Sequence, residues 1–287
     1  MKRMLGISGT VLGVTLLLLA GLQAQSPAQP QAQQEERVRQ IQSGRPGPIT
    51  TDENIINLPV PRLHDGRPDL TGPWVGGGSD ADIEREGGLK PGELPLLPWA
   101  RELRAKREKA TYDEPYIYCL PMSVPRVNPY PWKFSMSYTS KGLTSIYLLH
   151  ETGDAGAHRV VYMDGRKHPA DPFPSWWGHS IGSWDRDTLV IDTIGYNDKF
   201  WFDARGTPHT EQLHTIERWT RINNGTLNLD FTLDDPGAFS RTVQLKFTAR
   251  LAAPGIDLME YICTENNQLG IAGGYRLNSE GKLEQQK

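Results

Sequence analysis

Cysteine is nearly absent from this chain: Cys119 and Cys263 are the two cysteines in 287 residues. They allow one bridge at most. It would close a long loop, and chain entropy then sets an upper figure of about 5 kcal/mol. Two buried free thiols are the alternative. No cysteine follows the apolar N-terminal run, so no lipoprotein attachment site is read. An excess of one charge is also missing. The formal net charge is −3, which excludes a broad basic field for nucleic acid. Helix signals are scarce as well, whereas 29 glycines and 22 prolines point to many turns and short elements. That balance favours β over helical architecture.

The long apolar run is at the N-terminus. Lys2 and Arg3 form a basic start, Val11 to Ala20 an apolar core, and Gly21 to Ala24 a small-residue exit. This pattern is expected to be a secretion signal over residues 1–24, removed after Ala24. A membrane anchor is the alternative, but glycines and Ser8 interrupt the uncharged stretch, and its apolar core is short. The expected destination is the periplasm or the extracellular space, with no stable membrane insertion after cleavage. Residues 25–66 read as a linker rich in Gln, Ala and Pro, then an extended arm. Residues 67–287 are expected to form one domain.

Within that domain one helix is predicted, from Pro98 to Glu108, with Pro98 in its first turn and a charged face for the surface. Lys133 onward reads as strands and turns. Phe134, Met136 and Tyr138 share a face, Ser145 to Glu151 is apolar, and His158 to Met163 ends at Asp164-Gly165. Val243 to Leu251 alternates, and Leu258 to Thr264 is expected to return as a strand. The prediction is an all-β fold: an antiparallel meander forming a barrel, with an extended arm and one surface helix.

Two hairpins carry most of the chemistry. In Ser180 to Tyr196, pairing Trp184 with Leu189 puts His179, Ile181, Ser183, Val190, Asp192 and Ile194 on one face. His179 and Asp192 then become diagonal neighbours. In Glu217 to Leu233, a three-residue loop pairing Ile222 with Thr226 buries Trp219 and Glu217. A two-residue loop buries Arg218 and His214 instead. Either way a charged group faces inward and needs a partner or water.

His179 and Asp192 suit a base and its orienting carboxylate, with Glu217 or Glu211 as a second carboxylate. A structural pair at a strand end is the alternative. His209, Glu211 and His214 are a possible zinc set, although their spacing does not fit one helical face and a polar loop is the plainer reading. Gly178-His179-Ser180-Ile181-Gly182 matches a nucleophile-elbow pattern by letter, but a hairpin follows it where a helix is required. Trp177, Trp184, Tyr196, Trp201 and Arg218 are candidates to line a binding pocket; core packing is their alternative role.

Gly72-Pro73-Trp74 resembles the Gly-x-Trp that opens lipocalin-like (calycin) barrels, which implies such a barrel here. The run His179 to Thr193, with Asp164 to Pro169 and Glu260 to Asn266, resembles a family of exported bacterial proteins. That resemblance spans most of the chain from about Pro68. It implies export and a β fold and brings no catalytic residues with it. The expected function is binding of a small, hydrophobic or aromatic molecule, without a cofactor. A secreted lyase, hydratase, isomerase or hydrolase using His179 and Asp192 is one alternative; a filled structural barrel is another.

Overall fold

Side chains on neighbouring strand positions point to opposite faces, and β9 (Val243–Leu251) follows that rule from end to end. Val243, Leu245, Phe247 and Ala249 are buried, while Gln244, Lys246, Thr248 and Arg250 are exposed. The computed structural model describes residues 49–109, 113–140, 142–152, 158–263, 275–277 and 283–285. The predicted signal and most of the linker, up to residue 48, lie outside the described residues.

Eight further strands precede β9: β1 (Trp74–Gly76), β2 (Trp132–Thr139), β3 (Gly142–His150), β4 (His158–Tyr162), β5 (His179–Asp185), β6 (Thr188–Ile194), β7 (His214–Asn223) and β8 (Thr226–Asp234). They close into a barrel in chain order, β9 pairing back onto β1. The all-β barrel is therefore as expected. One pairing departs from a pure meander: β4 and β5 run parallel, Val161 opposite Ser180. Parallel neighbours require a crossover rather than a hairpin. Residues 163–178 supply it, which explains why Asp164-Gly165 is no hairpin turn.

Both hairpins can now be read in register. Trp184 pairs with Leu189, Ile181 with Asp192 and His179 with Ile194, as predicted. At the second hairpin Glu217 pairs with Phe231 and Arg221 with Leu227, the register of the three-residue loop. The turn itself closes between Asn223 and Thr226, and the register shift between Arg221 and Asn223 leaves Ile222 out of the ladder. Ile222 is exposed, whereas Glu217 and Trp219 are buried. A bulge thus reconciles a two-residue turn with the faces of a three-residue one.

The lumen is packed. Trp74, Trp132, Phe134, Trp219, Leu229 and Phe231 are buried to 1% exposure or less. Trp132 meets both Phe134 and Trp219 at ring-centroid distances of 5.0 Å. The Arg221 guanidinium caps the Trp74 ring at 4.8 Å. Gly182 faces inward where a Cβ would come within 2.4 Å of Met163 Sδ, so β5 narrows there to admit the first residue of the crossover.

Two four-residue helices, α1 (Glu53–Ile56) and α2 (Ile83–Glu86), and the ten-residue α3 (Pro98–Arg107) accompany the strands, and Ile83 of α2 and Ala100 of α3 are buried in the same core cluster as the barrel interior. Pro98 opens α3, and Arg104, Lys106 and Arg107 fall in its last turn, where the helix dipole favours cations. The arm is tied to the β7–β8 end of the barrel: Asn224 and Gly225 donate to the Leu58 and Ile56 carbonyls. The expected strand at Leu258 to Thr264 does not form over residues 258–263; Thr264 lies outside the described residues. That segment instead leads to a Cys119–Cys263 disulfide with Cα atoms 5.5 Å apart, and Met259 N–H donates to the Glu151 carboxylate. Strands Tyr275–Leu277 and Leu283–Gln285 pair separately, as a two-stranded sheet.

Candidate functional site

Strand register fixes which predicted residues can meet. On β5 and β6 the inward positions are Ser180, Gly182, Trp184, Leu189, Ile191 and Thr193, so His179 and Asp192 stand on the outer wall. Glu217 is wholly buried on the inner wall. The expected trio of His179, Asp192 and Glu217 is therefore not one site, because the barrel wall passes between the first two and the third. Alternation relates the two faces within a hairpin but does not say which of them a closed barrel encloses.

The outer site contains a residue that strand reasoning missed. Diagonal neighbours are roughly 7–8 Å apart, and His168 of the crossover fills that gap. His168 Nε2 lies 3.2 Å from Asp192 Oδ1, and His168 Nδ1 lies 2.9 Å from His179 Nδ1. His214, at the start of β7, reaches the same Asp192 oxygen from the other side at 2.7 Å. Nothing in local pattern marks His168. Its place follows from the parallel β4–β5 pairing, which forces the crossover over the outer face. Gly178, at φ +63°, then turns the chain into β5, and a Cβ there would meet the Ile194 carbonyl at 2.7 Å.

The charges order the protons. The hydrogen bond from His214 holds Asp192 below the usual carboxylate range, and the same bond raises His214. Burial, the largest cause, together with the nearby Arg166 charge, lowers His179 below the ordinary imidazole value. The contacts to Asp192 set one proton arrangement for a neutral His168–His179 pair. His168 Nε2 donates to the Asp192 carboxylate, so His168 Nδ1 accepts from His179 Nδ1, and His179 Nε2 carries a lone pair. Tyr162 stacks on the His179 ring at 5.3 Å, and the Arg166 guanidinium covers Tyr162 at 3.8 Å.

Compared with protein-family models, with curated proteins and with solved structures, the chain finds no match. The site must therefore be read from its own geometry.

Inside the wall, Glu217 is the acceptor of a buried network. Arg159 Nη1 donates to Glu217 Oε1 at 2.6 Å, Arg159 Nε to Ser180 Oγ at 2.9 Å and Arg159 Nη2 to Thr193 Oγ1 at 2.5 Å. Trp219 Nε1 donates to the other Glu217 oxygen at 3.1 Å. Ser180 is thus an acceptor for a guanidinium inside a strand, not a nucleophile at an elbow. Beside this network His150 is buried with both ring nitrogens unpartnered. Burial, with the Arg159 charge, pushes it down to about 3.

The remaining candidates do not converge. Trp177 stacks on His150 at 5.5 Å. Trp184 lies five residues along β5 from His179, on the opposite face, under the Arg67 guanidinium. Tyr196 is buried and bonded to Thr215 Oγ1 at 2.9 Å. Trp201 is buried under the Arg107 guanidinium at 4.6 Å. Arg218 stands on the outer wall, paired with Asp185 at 2.5 Å. The zinc set is likewise scattered. His209 is buried against Phe200 and Phe202, with burial pushing it down to about 4, Glu211 is exposed, and His214 belongs to Asp192. Among the described residues no group of three or more His, Cys, Asp or Glu is arranged to hold a metal ion.

Proposed function

We propose that this protein is an acid–base enzyme acting on a small molecule at the outer wall of the barrel, with His179 as the base. The observation that carries the reading is the continuous contact Asp192–His168–His179. His179 Nε2 takes a proton from a water molecule or from the substrate. The His179 Nδ1 proton can then pass to His168 Nδ1, and the resulting imidazolium is in contact with the Asp192 carboxylate. His168 and Asp192 are thus positioning residues, and His214, bound to the same Asp192 oxygen, keeps that carboxylate ionised. The aromatic packing of the lumen around Trp132, Phe134 and Trp219 favours the outer wall over the lumen for this chemistry. Export belongs to the same reading; the Cys119–Cys263 disulfide is compatible with an oxidising compartment.

Hydrolysis of p-nitrophenyl acetate tests the base. The rate should reach its plateau with an apparent pKa below the ordinary imidazole value, and His179→Gln should remove that phase. Asp192→Asn should lower the plateau by about tenfold or more, within the usual range of acid–base contributions. A phase that persists in His179→Gln refutes the assignment.

A further inference from the structure

Phe173 is the most exposed large hydrophobic side chain among the described residues, at 90%; the others lie between 41% and 54%. A single apolar side chain on a surface is ordinary. Phe173 differs in how it is held. Before it, Pro172 lies against Gly195, where an added Cβ would come within 2.7 Å of Pro172 Cβ. After it, Ser175 donates its N–H to the Gly195 carbonyl at 3.0 Å and accepts the Asn197 N–H at 2.8 Å. Both sides of the loop are thus anchored just past the end of β6. Pro172 and Pro174 have fixed φ angles, and Pro174 also restricts the residue before it, so the Phe173 backbone is confined. A stiffened loop therefore holds an apolar ring in water, forgoing the stabilisation that burial would give it.

This loop belongs to the wall that carries the relay. His168 contacts Asp192 and His179, and four residues later Pro172 reaches Gly195. The crossover therefore runs along β6 from Asp192 past its end. Gly195 follows Ile194, which pairs with His179 across the β5–β6 ladder and is half-buried on the same outer wall. At about 3.3 Å per residue, the Phe173 backbone lies about 7–10 Å along the wall from that pair. A six-carbon acyl chain or a substituted aromatic ring covers such a span. Tyr162 and His168 take the flanks of His179 towards β4 and Asp192. The side towards Gly195 and Phe173 is left for the substrate.

We propose that Phe173, with Ile194, is the surface on which the apolar group of the relay's substrate rests. The substrate class is then molecules that carry an acyl or aryl group beside the reacting atom. Presenting the ring on an anchored loop lowers the ordering cost of binding such a group. The inference rests on the reading of His179 as the base.

Comparing p-nitrophenyl hexanoate with p-nitrophenyl acetate tests the proposal. In Phe173→Ser the hexanoate-to-acetate ratio of kcat/KM should fall about tenfold, mainly through KM, and Phe173→Leu should restore most of it. Ile222→Ser removes another exposed apolar side chain, at the other end of β7 from His214, and should keep the wild-type ratio. An unchanged ratio in Phe173→Ser, or an equal fall in Ile222→Ser, overturns the proposal. Binding of hexanoic acid 4-nitroanilide, followed through the Ile194 methyls, separates this surface from the relay. The anilide should bind His179→Gln saturably and bind Phe173→Ser about tenfold more weakly than wild type. Ester hydrolysis that persists in His179→Gln, with anilide binding still dependent on Phe173, refutes the relay and supports the apolar surface. Anilide binding indifferent to Phe173, or absent, refutes the surface whatever becomes of the relay.

Discussion

Arg159 and Glu217 meet inside the barrel at 2.6 Å, each at 1% side-chain exposure or less. This is a buried ion pair whose remaining donors and acceptors are satisfied by Ser180, Thr193 and Trp219. Removing one member strands the other's charge in a dry interior. Glu217→Ala is expected to cost about 3–5 kcal/mol in urea unfolding at pH 7. The double change Arg159→Met with Glu217→Leu should cost less than Glu217→Ala alone. If the two changes add instead, the pair is not coupled as described.

His150 carries the opposite burden. Its ring is buried, neutral and unpartnered between Trp132 and Trp177. Its folded pKa is pushed down from 6.5 to about 3, so the unfolded chain takes up a proton that the folded chain refuses. Above 6.5 this difference costs no stability; as pH falls from 6.5 towards 3 the folded state is destabilised by about 1.4 kcal/mol per unit. His150→Phe keeps the aromatic stacking and removes two orphaned polar groups. It should stabilise the protein by roughly 1–3 kcal/mol at pH 7, and by more at pH 5. Equal gains at the two pH values would show that the ring is not held neutral.

The His214–Asp192 contact works in a different window. The folded His214 pKa is raised above 6.5, so its contribution is full below that value and is lost as pH rises through the folded pKa. The folded Asp192 pKa is lowered from 3.8, so its contribution is full above that value and is lost as pH falls through the folded pKa. The pair therefore stabilises most between about 4 and 6.5. Both side chains are more than a third exposed, and solvent limits the effect to about 1 kcal/mol or less. The stability difference between wild type and His214→Gln should be present at pH 5.5 and shrink above neutrality. A difference that grows with pH contradicts the assigned signs.

How much of this was legible in the sequence depended on the range of the interaction. Strand faces and the His179–Ile194 register follow from alternation and turn position, both local. The inward Glu217 was one of two readings, and the choice turned on Ile222 leaving the ladder, which no residue pattern announces. The trio of His179, Asp192 and Glu217 failed because alternation orders faces within a hairpin but does not say which one a closed barrel encloses. His168 was invisible for a third reason: its position depends on two strands being parallel, a pairing between segments that share no turn. Arg159, the partner that Glu217 required, was likewise unidentifiable without that pairing.

The central claim is the proton arrangement of the outer relay, and long-range ¹H–¹⁵N NMR of the histidine rings at neutral pH reads it directly. The account predicts a protonated Nδ1 and an unprotonated Nε2 in His179, together with a proton on His168 Nε2. Asp192→Asn should disturb that pattern while leaving the buried rings His150 and His209 unchanged. A His179 ring protonated at Nε2 and bare at Nδ1, or a pattern indifferent to Asp192, would contradict it.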